Sequence, residues 1–220
     1  MLKAKIFLSG IFFLKTKKTG GRFFIKNYKY TNFYNRDINA FKALARVGHM
    51  QEQHFKNFNI TKTRLKNYTR DKLVEKVPFI QKGEKNGVAY KLTVEGRKFV
   101  EREFNIKPYP SQSAKHDLKI ADKYCMLTQK EQDSVKTETE IRYRMVEEIE
   151  KLKEQDLKEA DRWAEMWDNK QLSAPDMVYT TESGVEIAYE VITNNYGVEE
   201  IQAKENTITL LKAEREMVKC

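Results

Sequence analysis

The sequence predicts an α+β fold in two parts of opposite charge, on three observations. Short apolar runs around glycine-containing turns recur at residues 11–30, 77–92 and 176–193, the pattern of β-hairpins. Between and after them, apolar residues recur at helical spacing behind Ser, Thr and Asp caps. Residues 1–110 carry 25 Lys and Arg against 8 Asp and Glu, a local charge of +17, whereas residues 111–220 carry 16 against 24, or −8. A polyanion-binding part joined to an acidic part accounts for that segregation, and a generally basic protein does not.

The chain of 220 residues is long enough for one large or two small domains, and its 40% apolar content supports a packed core. Cys125 and Cys220 form no metal-binding spacing and no disulfide framework, which fits a reducing compartment. The apolar run at residues 6–14 is broken by Ser9-Gly10 and is too short to span a membrane. It reads as strand, so the expectation is a cytoplasmic protein with no membrane partner.

In chain order, residues 1–36 are expected to form an N-terminal β-hairpin around Thr19-Gly20-Gly21, with aromatic residues in the core and lysines on the wet face, open to DNA backbone contact. Asp37 can cap a helix to Val47, and Gly48 stops it. A short helix follows over residues 50–58. Asn59 or Thr61 can then cap a third helix to Arg70, with Ile60, Leu65 and, further on, Val74 turned inward. Lys62, Arg64, Lys66, Asn67 and Arg70 are left facing outward, and no acid interrupts residues 60–70. Lys and Arg suit phosphates, and Arg and Asn suit base edges in a major groove. Strands at 77–81 and 88–92 flank a basic loop holding Lys82, Gly83, Lys85 and Gly87, and Thr93 caps a closing helix in which Val94, Phe99 and Val100 are expected to be buried. Helices, hairpin and closing helix in this order match a winged helix-turn-helix over residues 37–106, with 82–87 as the wing. His49 is expected in a turn and His54 on an exposed helix face, neither as a ligand.

Residues 107–114, with Pro108, Pro110 and two serines, read as a linker, and 115–220 as a small α/β domain. A helix over 115–129 leads it. A short strand then runs into one long charged helix ending near Asp168, followed by a hairpin of residues 176–181 and 185–193, a helix at 198–206 and a strand at 207–211. Pro175-Asp176 before the hairpin and Glu190 on its second strand have the layout of a restriction-endonuclease-like metal site, whose hard oxygen ligands bind Mg²⁺. The activating Lys usual two residues beyond the Glu is replaced by Ile192, leaving Lys204 as the candidate substitute. Glu138 or Glu140 could supply a third carboxylate.

A winged helix, a linker, a helix opening with His116-Asp117-Leu118, then Pro175-Asp176 and Glu190-Val191 together resemble the replication-relaxation family of plasmids and conjugative elements. The resemblance spans residues 37–205. It implies a winged helix joined to a nuclease-like domain with an often incomplete catalytic set, and a role in plasmid replication, relaxation or mobilisation. The N-terminal hairpin and the charged segment 138–168 depart from that pattern. The expected partners are double-stranded DNA, a second copy of the chain in a homodimer, and replication or transfer proteins of the same element. The expectation is no resident cofactor, with Mg²⁺ as the candidate ion. The alternatives are a Mg²⁺-dependent nuclease using Asp176, Glu190, Glu140 and Lys204, and a transcriptional repressor.

Overall fold

A computed structural model describes residues 28–29, 31–80, 86–194 and 196–220. Residues 1–27 and 30 of the expected N-terminal hairpin and the wing residues Lys82 and Lys85 lie outside them. The described chain is α+β, with two separate sheets. The first half runs α1 (Asn35–Val47), β1 (His49–Met50), α2 (Glu52–Lys56), α3 (Lys62–Arg70), β2 (Val74–Ile80), β3 (Asn86–Leu92) and α4 (Val94–Phe104). Its sheet is antiparallel with order β1-β3-β2. Thr61 and Thr93 cap α3 and α4 by accepting from Arg64 N and Gly96 N, which gives unsatisfied first-turn amides a partner.

Three expectations need correction here. Helix α1 begins two residues before Asp37, whose carboxylate instead sits in the first turn and accepts from Tyr34 N. Val74 is buried as expected, but from β2 and not as a continuation of the helical stripe, because the chain leaves the helix at Asp71. Val94 is 69% exposed at the start of α4, while Phe99 and Val100 face the core.

Gly96 lets α4 approach the entry to β2: a Cβ there would stand 1.9 Å from the Leu73 carbonyl oxygen. Since backbone must move to make room, Gly96→Ala is expected to cost about 2–3 kcal/mol in a urea titration.

The second half runs α5 (Ala114–Met126), α6 (Gln129–Ser134), β4 (Lys136–Thr137), α7 (Glu138–Gln155), α8 (Leu157–Asp168), β5 (Met177–Thr180), β6 (Glu186–Ile192), α9 (Val198–Leu211) and β7 (Glu214–Lys219). Its sheet has order β4-β5-β6-β7, with β6 and β7 parallel and the other pairs antiparallel. The expected single long helix is two: the chain breaks at Asp156, whose side chain caps α8 through Lys158 N and Glu159 N. Residues 207–211 continue α9 instead of forming a strand, because Thr207, Ile208, Leu210 and Leu211 are buried along the helix and burial outweighs the β preference of Thr207 and Ile208. The last strand is β7, in what reads as a charged tail.

Side chains alternate across the second sheet, as the two-residue period of a strand requires. Met177, Tyr179, Tyr189 and Val191 join the first half and α5 in one core. Val178 and Ala188 pack on the other side with Ile141, Met145, Trp163 and Ile208. Residues 105–114 form part of the seam. Tyr109 is 1% exposed; its N–H donates to Ala45 O at 2.7 Å and its carbonyl accepts from Arg97 Nη2 at 2.7 Å. Tyr109 thus anchors this stretch to α1 and α4, and α5 is the helix against which both halves close.

Candidate functional site

The basic helix and the acid pair are separate features. On α3, Lys62, Lys66 and Arg70 are exposed and Asn67 is half-buried. Lys62 Nζ lies 3.1 Å from Glu52 Oε2 on α2, with 74% of its side chain still exposed.

Arg64 departs from the expected outward placement. Its side chain is only 13% exposed, and Nε and Nη2 each lie 2.7 Å from the Asp37 carboxylate oxygens in a two-pronged pair. Nη2 also donates to Asn32 O, and the Tyr68 hydroxyl donates to Asp37. Asp37 itself is fully buried. Arg64 thus ties α3 to α1, because a buried carboxylate needs a charge-assisted partner.

Asp176 precedes β5 and Glu190 lies on β6, and the structure brings them together. Asp176 N donates to Glu190 Oε2 at 2.9 Å, and Val191 N donates to Asp176 Oδ2 at 2.9 Å. Lys204 reaches the pair from α9, with Nζ 2.9 Å from Glu190 Oε1 and donating to Ala174 O at 2.6 Å. The Tyr196 hydroxyl donates to the same Glu190 oxygen at 2.9 Å, and the Tyr109 hydroxyl to Asp176 Oδ1 at 3.4 Å. Glu140 takes another role: its carboxylate accepts from Thr137 N at 2.8 Å, closing the cap of α7, and pairs with Arg46 at 3.0 Å. Glu138 instead lines, with Trp167, Tyr196 and Lys204, a cleft of about 800 Å³ beside the pair.

All three histidines of the chain are buried at this seam, and each meets an aspartate, contrary to the turn and exposed-face placements expected for His49 and His54. His49 Nδ1 donates to Asp117 Oδ2 at 2.7 Å. His54 accepts from Gln51 N at 3.0 Å through Nδ1, and its Nε2 donates to Asp122 Oδ1 at 2.9 Å. His116 Nδ1 lies 3.1 Å from Asp117 Oδ1, and its Nε2 stands 3.2 Å from Asp176 Oδ2, too poorly aligned for a directional hydrogen bond, so that contact is electrostatic. Gly48 permits this crowding: it has φ +81°, and a Cβ there would stand 2.5 Å from Asp117 Oδ2.

Burial opposes the charge on His116, but the Asp117 and Asp176 carboxylates outweigh it and raise its pKa from 6.5 to about 10. Burial and the Asp176 charge push the Glu190 carboxyl up, against the pull of Lys204 and Tyr196. The raised histidine stabilises the fold fully below about pH 6.5, and that contribution is lost as pH rises through about 10. Wild type is therefore expected to lose on the order of 3 kcal/mol more than His116→Gln between those limits, measured by urea unfolding at each pH.

The pair does not fit Mg²⁺ as it stands. Asp176 and Glu190 are 2% and 1% exposed, and all four carboxylate oxygens already have protein partners. Among the described residues, no group of three or more His, Cys, Asp or Glu is arranged to hold a metal ion. Nor is any helix among them long and apolar enough to cross a membrane. No family profile matches the chain, and neither the curated proteins nor the solved structures contain a match.

Proposed function

We propose that this chain is a duplex-DNA-binding protein whose first half acts as a winged helix, with α3 in a major groove. The observation that carries the reading is α3: an acid-free helix presenting Lys62, Lys66 and Arg70 outward from an α1-β1-α2-α3-β2-β3-α4 succession. The order β1-β3-β2 of its sheet supports it. Base reading falls to Asn67 and Arg70, since Arg64 is held by Asp37.

More particularly, we propose a replication, relaxation or mobilisation factor of a mobile element, acting in the cytoplasm as a homodimer with that element's transfer or replication proteins. The second half would be a nuclease-like domain without nuclease activity. The alternative, a Mg²⁺-dependent nuclease, would require Asp176, Glu190 and Lys204 to rearrange, since the carboxylate oxygens already have protein partners. Metal-dependent cleavage abolished by Asp176→Ala would establish that alternative.

The test uses the full chain. Lys66→Ala is expected to weaken binding to all duplexes alike and to lower the slope of log affinity against log salt by about 1. Asn67→Ala is expected to cost about 1–3 kcal/mol on the selected site and little on random duplex. Fluorescence anisotropy reads both effects, and unchanged affinity in both variants would remove α3 from the interface.

A further inference from the structure

We propose that the ammonium of Lys204 occupies the place between Glu190 and the Ala174 carbonyl that a divalent cation would take, so that the acid pair is an ion cluster closed by the protein's own cation and blind to metals. Hard cations seek carboxylate and carbonyl oxygens. Lys204 Nζ sits among such ligands, 2.9 Å from Glu190 Oε1 and 2.6 Å from Ala174 O. Its side chain is 12% exposed, so it is a fixed part of the site. The main chain holds the carboxylates in position: Asp176 N binds Glu190, and Val191 N binds Asp176. The Tyr196 hydroxyl covers Glu190 from the cleft side, and the His116 ring stands over Asp176 Oδ2. An entering metal would have to displace Lys204 from both of its oxygens. This inference conflicts with the Mg²⁺ site that the layout of Asp176 and Glu190 in the sequence suggests, and it is independent of DNA binding.

The experiment titrates Mn²⁺ into the full-length wild type, Lys204→Met and Lys204→Met/Glu190→Gln, following thermal unfolding and binding heat at constant ionic strength. Wild type is expected to show no saturable heat and no change in its unfolding midpoint. Lys204→Met is expected to unfold at a lower temperature, to bind one Mn²⁺ at least tenfold more tightly than wild type, and to regain stability with it, as a ligand specific to the folded state requires. The double variant is expected to lose that response. Lys204→Gln serves as a second substitution should Lys204→Met not fold. Saturable one-site binding with a raised midpoint in wild type would overturn the proposal. So would a folded Lys204→Met or Lys204→Gln protein that ignores Mn²⁺. The wild-type titration decides the claim of metal blindness even if neither variant folds.

Discussion

Asp37→Ala is expected to destabilise the chain by about 3–5 kcal/mol, because it leaves the Arg64 guanidinium in its pocket without a counter-charge. The same carboxylate accepts from Tyr34 N and from the buried Tyr68 hydroxyl, so one substitution also orphans two hydrogen-bond donors. Arg64→Ala should be nearly as damaging, since it strands the buried acid instead. Urea unfolding reads both, and the double variant should cost less than the sum of the singles. A loss below about 1 kcal/mol for Asp37→Ala would mean that Arg64 is free to turn outward, and would restore it as a candidate for reading DNA.

Asp117→Ala should have an effect of similar size, about 3–5 kcal/mol, for a different reason. Asp117 is fully buried and holds His49 from β1, His116 beside it on α5 and the Gln112 amide. It therefore ties the first half to the helix that carries the second. Its removal leaves His116 with Asp176 as its remaining acidic neighbour and brings the histidine's pKa down from about 10. The variant should accordingly lose less stability than wild type as pH rises above about 6.5. Equal pH dependence in the two proteins would contradict the network.

Periodicity and caps made α3, α4, β5 and β6 legible from sequence, because each of those signals is local: Thr61 and Thr93 announce their helices, and Glu182-Ser183-Gly184 announces a turn. The pairing of Asp176 with Glu190 was legible too, since a short hairpin brings its own strands together. Contacts across long sequence separation were not. Arg64 reads as outward on a helical wheel, and only its distant partner shows otherwise. One signal was present: Asp37 is the only acid before Glu52, so a lone carboxylate in so basic a stretch needs a partner. His49, His54 and His116 carried no spacing pattern, because each aspartate comes from another element or from the adjacent residue. The break at Asp156 was missed because apolar positions continue in helical phase through it; the Asp that caps α8 was the available mark.

The measurement that bears most directly on the central claim is selection of bound duplexes from a fragment library. Wild type and Lys66→Glu/Arg70→Glu would be run side by side, each with and without Mg²⁺. The expected result is one intact site enriched by wild type in both conditions and lost with the charge-reversed helix. Equal enrichment by both proteins, or none by wild type, would contradict DNA recognition by α3.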